Sequence, residues 1–61
     1  MNSKKIIIAL DNNNFNDCLN LIKLLKNDAF AFKVGYEFFF NFGLEGYKTI
    51  HDEGIKIFLD L

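Results

Sequence analysis

The chain is poor in the residues that usually stabilise very small proteins. Its 61 residues include one cysteine, Cys18, and one histidine, His51. A single cysteine excludes an internal disulfide. One cysteine and one histidine are too few ligands for a metal cluster built from His and Cys. Cys18 lies in a pattern of helical spacing, which favours a small buried residue over a reactive thiol. Apolar burial or association must therefore supply the stability.

The sequence also lacks a strong charge of either sign and any long apolar run. The formal net charge is −1, with acids and bases interspersed, which argues against a nucleic-acid-binding surface. No apolar run approaches the roughly 20 residues of a membrane span. Two lysines precede Ile6, but the apolar run ends before Asp11 and is too short for a secretion signal. We therefore expect a cytoplasmic protein.

Apolar residues make up 51% of the chain, and three runs of them predict β-strands. The runs are Ile6 to Leu10, Ala29 to Val34 and Ile55 to Leu59. The first is continuous rather than alternating, so both of its faces are expected to be buried, as in a parallel strand covered by helices. Gly35, after the second run, permits a sharp exit from the strand.

Helical patterns separate these strands. The first contains Phe15, Cys18, Leu19, Ile22 and Leu25, with Asn14 as the expected N-cap and an end near residues 26–27. The second begins with YEFFFNFG, which is read as one or two helical turns closed by Gly43, although its aromatic residues would also fit a strand. The cluster from Phe38 to Phe42 is expected to pack in the core, with a ligand-facing ring as the alternative. A further helix is expected from Leu44 to Glu53, with Gly54 at C′.

The element order β-α-β-α-β predicts an α/β protein with a parallel sheet. Three strands leave two bare sheet edges, which promote aggregation unless something pairs with them. The pattern therefore indicates a piece of a larger α/β fold.

One ionisable residue lies near the carboxyl end of each predicted strand: Asp11, Lys33 and Asp60. These ends lie on one side of a parallel sheet, where α/β barrels carry their catalytic groups, so the three side chains are expected to converge on one pocket. Two alternatives remain open. Asp11 is also explained as a turn residue that caps the next segment, and Lys33 as a lysine whose stem is buried and whose head reaches solvent.

The segments IIIALD, FKVGYEFFFNFG and GIKIFLDL, in this order and spacing, resemble the N-terminal part of orotidine 5′-phosphate decarboxylases. The resemblance covers essentially the whole chain and about the first quarter of the family's length. It implies that residues 1–61 form the first three strands of an incomplete (β/α)8 TIM barrel. Hexulose-phosphate synthases and keto-gulonate-phosphate decarboxylases share this barrel, but they typically carry Glu at the position of Lys33.

The resemblance also implies an activity. The family decarboxylates orotidine 5′-monophosphate to uridine 5′-monophosphate in pyrimidine biosynthesis, as a homodimer without a metal or an organic cofactor. Asp11 matches the carboxylate that binds the substrate's ribose. Lys33 matches the lysine that contacts the sugar hydroxyls and joins the charged network. Asp60 matches the first acid of the Asp-x-Lys-x-x-Asp signature, beside the substrate's carboxylate, and the signature lysine would follow Leu61.

Three hypotheses follow for the chain. It is a working decarboxylase or a segment of one, a non-catalytic remnant of an interrupted gene, or a barrel fragment that assembles with a second chain. Because the signature lysine and the phosphate site lie outside these residues, we expect the 61 residues alone to be inactive.

Overall fold

The computed structural model describes residues 6–61 as a three-stranded parallel sheet with two helices. The elements follow the chain in the order β1 (Ile7–Ala9), α1 (Phe15–Leu25), β2 (Ala31–Gly35), α2 (Tyr36–His51) and β3 (Ile57–Asp60). The predicted order β-α-β-α-β is therefore confirmed. Within the described residues, neither helix has the length and apolar character needed to cross a bilayer.

The sheet has the strand order β1-β2-β3, so β2 is the central strand. Ala9 is aligned with Lys33, and Lys33 is aligned with Phe58 on the other side. The second and third strands begin two residues later than predicted and extend one residue further, to Gly35 and Asp60. Apolar runs do not mark strand ends sharply because the flanking residues of a buried strand are also apolar.

Helix α1 begins where a polar side chain satisfies its first free amide groups. The backbone of Asn14 is extended, and its Oδ1 accepts a hydrogen bond from the Asp17 amide at 3.1 Å. Asp17 also places a negative charge near the positive end of the helix dipole. At the other end, the Lys26 amide donates to the Ile22 carbonyl. The predicted N-cap and helix end are confirmed.

Helix α2 bends at Gly43, where the sequence predicted a break. Gly43 has φ 67° and ψ −170°, a conformation that is essentially restricted to glycine. The second segment ends at His51, two residues before the expected end at Glu53. Gly54 has φ 78°, and its amide donates to the His51 carbonyl at 3.1 Å, so it closes the turn that follows the helix. The C-cap is Asp52, so Gly54 lies at C″ rather than at the predicted C′, because the helix ends earlier than expected.

The core lies between one face of the sheet and the two helices. Phe32, Val34 and Leu10 form the sheet side of this core, and each is almost completely buried. The helices contribute Cys18, Ile22, Phe38 and Ile50. The expected burial of Cys18 is confirmed.

The phenylalanine-rich segment only partly enters the core. Phe38 and Phe42 pack edge to face with ring centroids 5.0 Å apart, and Phe42 also lies against Phe15. Phe40, in contrast, is 90% exposed. The prediction that the whole cluster packs in the core is therefore wrong for Phe40, because a helical turn directs successive side chains to different sides.

The opposite face of the sheet carries no helix within residues 6–61. Side chains alternate along a strand, so Ile7 and Phe58 point away from the core, and they are 46% and 49% exposed. The expectation that both faces of the first strand are buried is therefore wrong for the described residues. In the part of the chain that the structure describes, strands β1 and β3 each leave one edge unpaired. We call this surface, with Ile7, Lys33, Phe58 and Asp60, the open face.

Removing the N-cap of α1 tests the local account of this helix. We expect Asn14→Ala to lower the free energy of unfolding by about 1 kcal/mol, because the Asp17 amide loses its acceptor. Asn14→Asp retains an acceptor and should leave stability nearly unchanged. Urea denaturation measures both. Asn13→Ala, a neighbouring exposed position, is the control, and an equal loss there would contradict the capping role.

The buried thiol gives a second prediction. The pKa of Cys18 is raised because burial disfavours the thiolate, and the charge of Asp17 acts in the same direction. The folded chain therefore holds the thiol proton more tightly than the unfolded chain does. This contribution to stability is fully present below the ordinary thiol pKa of about 8.5 and is lost as the pH rises above it.

We expect the free energy of unfolding to fall more steeply above about pH 8.5 in the native sequence than in Cys18→Ala. Iodoacetamide should also label Cys18 much more slowly in native buffer than in urea, since the side chain is fully buried. Urea curves across the pH range and mass spectrometry provide the two readouts. Parallel pH profiles together with equal labelling rates would contradict the burial of Cys18.

Candidate active site

Lys33 lies on the open face because the residues on either side of it enter the core. Phe32 and Val34 are buried, and the alternation of β2 directs the lysine between them to the opposite side. Its side chain is 41% exposed. The charge in the middle of an apolar run is thereby explained without burial of an ammonium group.

Asp60 is the last residue of β3 and lies on the same face. The register aligns Lys33 with Phe58, so Asp60 is the diagonal neighbour of Lys33 across the strand pair. The distance from Lys33 Nζ to Asp60 Oδ2 is 4.0 Å, and the aspartate side chain is 64% exposed. At this separation and exposure an ion pair contributes at most about 1 kcal/mol, so stability is a weak reason for the arrangement.

Gly35 brings the backbone of β2 close to Asp60. It is aligned with Asp60, and a Cβ at position 35 would lie only 3.3 Å from the Asp60 carbonyl oxygen. Its φ of −114° is ordinary extended backbone, so the glycine is not needed for an unusual turn. The expected sharp exit after β2 is present, since α2 begins at Tyr36, but the space beside Asp60 is the stronger reason for a glycine.

Asp11 follows β1 by two residues and lies at the same end of the sheet, since the Leu10 amide donates to the Lys33 carbonyl at 3.0 Å. Its side chain is exposed, and within residues 6–61 it forms no ion pair with Lys33. The structure thus brings Lys33 and Asp60 together, whereas Asp11, at the same end of the sheet, forms no ion pair with Lys33 within residues 6–61. The capping role considered for Asp11 belongs to Asn14 instead.

Phe58 is a member of this surface that the sequence did not single out. It is aligned with Lys33, and the residue is about half exposed on the open face. Phe58 and Asp60 are two residues apart on one strand, and such side chains lie on the same face of a sheet. This spacing is the signal that would have identified Phe58. An apolar ring thus lies next to the charged pair.

The ammonium group of Lys33 and the carboxylates of Asp11 and Asp60 determine which ligands this surface can bind. An ammonium group donates hydrogen bonds and stabilises negative charge, whereas carboxylates accept hydrogen bonds from hydroxyl groups. Among the described residues no three His, Cys, Asp or Glu side chains are grouped closely enough to hold a metal ion. The arrangement therefore fits a polyhydroxylated or anionic organic ligand.

The comparisons with known proteins agree on one family. The sequence model of the orotidine 5′-phosphate decarboxylase / HUMPS family matches residues 4–61. Orotidine 5′-phosphate decarboxylase of Ehrlichia chaffeensis is 44% identical over all 61 residues, which correspond to 26% of that protein. The Vibrio atlanticus enzyme of the same name is 41% identical over the same 61 residues and the same share of its length.

The enzyme of that name from Ehrlichia canis is 46% identical over 56 residues, which cover 92% of this chain and 25% of the relative. The chain therefore spans about a quarter of the length of the curated relatives that it matches. The family model matches residues 4–61, and the structure has a β-α-β-α-β order that brings Lys33 and Asp60 together. The chain therefore belongs to the orotidine 5′-phosphate decarboxylase / HUMPS family.

Proposed function

We propose that these residues form the ribose-binding and charged part of an orotidine 5′-monophosphate decarboxylase site, in the first three strands of a (β/α)8 barrel. The observation that carries this proposal is the approach of Lys33 to Asp60 at 4.0 Å on the open face, at the carboxyl ends of the strands. Barrel enzymes place their catalytic groups at this end. The proposed product is uridine 5′-monophosphate, made in pyrimidine biosynthesis.

Each residue receives a role in this proposal. Asp11 accepts a hydrogen bond from a ribose hydroxyl. Lys33 donates to the sugar hydroxyls and, through its charge, holds Asp60 in place. Asp60 lies beside the carboxylate that leaves. Their exposure on the open face is consistent with a site that substrate must reach.

The chemistry explains why charge placement matters. Loss of carbon dioxide from C6 of the pyrimidine breaks a C–C bond and leaves the electron pair in the ring plane, where no π system delocalises it. A cation beside C6 stabilises this carbanion. One proton added at C6 then completes uridine 5′-monophosphate. The resemblance assigns this proton to the lysine after the Asp60-Leu61 pair. The negative charge of Asp60 disfavours the substrate carboxylate, and this effect ends when carbon dioxide leaves.

The family resemblance implies that this reaction uses no metal and no organic cofactor. A homodimer and a cytoplasmic location stay predictions.

A second candidate function is that of a barrel fragment that assembles with another chain. The open face and the unpaired edges of β1 and β3 favour it, because an added strand would find free hydrogen-bonding groups there.

A chimeric enzyme tests the proposed role of Lys33. Residues 1–61 replace the matching quarter of the Ehrlichia chaffeensis relative, and decarboxylation of orotidine 5′-monophosphate is followed by absorbance. We expect an active chimera, and we expect Lys33→Ala to lower kcat/KM by about 10²- to 10³-fold, because the sugar hydroxyls lose a positioned donor and Asp60 loses its neighbouring charge. The 61-residue chain alone should show no turnover above background.

Lys48→Ala is the matched control, because Lys48 is an exposed lysine in the last turn of α2 and outside the open face. It should retain full activity. Two results would sink the proposal: a folded chimera that does not decarboxylate, or an active chimera in which Lys33→Ala keeps more than about a tenth of the activity.

A further inference from the structure

A half-open cleft of about 370 Å³ lies at the amino ends of β2 and β3, the opposite end of the strands from Lys33 and Asp60. The loops before β2 and before β3 form its two sides. Phe30, Phe32 and Ile55 are among its apolar lining residues, and Lys26 and Lys56 are its charged ones. The volume falls at the lower end of the range for small-molecule sites, roughly 300–1,000 Å³.

The charged residues that line this cleft are both lysines. Glu53 is shared by two lysines, with Lys23 Nζ at 3.3 Å from Oε2 and Lys26 Nζ at 3.7 Å from Oε1. Within residues 6–61 no carboxylate lies within ion-pair distance of Lys56. Both charged side chains that line the cleft are therefore cationic, and Glu53 beside them pairs with Lys26. Such a concave positive region attracts anions.

Contacts already hold both lysines of the cleft in place. Lys56 Nζ lies 4.3 Å from the centroid of the Phe30 ring, a cation–π contact. Lys26 Nζ donates to the Glu53 carbonyl oxygen at 3.5 Å. Because the two cationic side chains are positioned before a ligand arrives, less conformational entropy is lost on binding.

The apolar residues that line the cleft indicate that the ligand also has an apolar part. Phe30 is half-exposed at the cleft, and Ile55 is partly exposed beside it. A purely inorganic anion would leave this apolar surface in contact with water. We propose that the cleft binds a small organic anion whose phosphate or carboxylate group lies between Lys26 and Lys56 and whose apolar part covers Phe30 and Ile55.

This site is separate from the proposed active site and does not depend on it. The cleft lies at the end of the strands where α/β barrels place residues for stability rather than for catalysis. Occupancy by a ligand that binds only the folded chain would raise the apparent stability.

Phenyl phosphate is the probe for this proposal, with ¹⁵N-labelled full chain at low ionic strength. We expect saturable amide shifts at Gly54, Ile55 and Lys56, and weaker binding of inorganic phosphate. Lys56→Gln should weaken the binding of phenyl phosphate at least about fivefold, because a charge-assisted contact is lost. Lys56→Arg should bind like the native chain, which separates the loss of charge from a loss of folding.

Lys48→Gln, a lysine outside the cleft, is the control and should bind phenyl phosphate as the native chain does. The proposal is overturned if no saturable shift occurs at these three amides, or if Lys48→Gln weakens binding as much as Lys56→Gln. Equal affinities for phenyl phosphate and inorganic phosphate would overturn the assignment of an organic ligand. These outcomes are independent of any decarboxylase activity.

Discussion

The alternation of side chains along β2 is the constraint on which both the core and the candidate site depend. As the central strand, β2 fixes the register of its neighbours through Ala9, Lys33 and Phe58. Phe32 and Val34 enter the core on one side, so Lys33 must point to the other. A slip of one residue would exchange these positions and bury an ammonium group beneath the helices, at high cost in free energy.

Because both helices pack on the same face, the hydrophobic core and the candidate site lie on opposite faces of the sheet. Burial of Ile22, Phe38 and Ile50 against β2 stabilises the layer, while the open face is left to carry Lys33 and Asp60. The same arrangement leaves Ile7 and Phe58 exposed. Because the sheet described for residues 6–61 has three strands, the outer edges of β1 and β3 are unpaired there. Apolar surface and free edges of this kind favour association with further strands.

Local signals in the sequence predicted much of the fold. Asn14 marks the start of α1, Gly43 marks the bend in α2, and the apolar runs mark the three strands. These features were predictable because each of them depends on only a few neighbouring residues. The exposure of Ile7 was not predictable in this way. A continuous apolar run gives no alternation, so it cannot show which face a helix will cover.

The candidate site was predicted in outline for a related reason. Strand order alone places Asp11, Lys33 and Asp60 at one end of a parallel sheet. Their contacts depend on strand register and on where each strand ends. Asp60 is still within β3 and reaches Lys33, whereas Asp11 lies two residues past the end of β1. Phe58 was missed because it reads as one more apolar residue until the register pairs it with Lys33.

Nuclear Overhauser effects from the Lys33 side chain test the central claim most directly. The arrangement described above predicts strong cross-peaks from the Lys33 methylene protons to the Phe58 ring and to the Asp60 β-protons. It also predicts none to Ile22, which lies on the helical side of the sheet. Cross-peaks from Lys33 to Ile22 in place of those to Phe58 would show the opposite register and would contradict both the core and the candidate site.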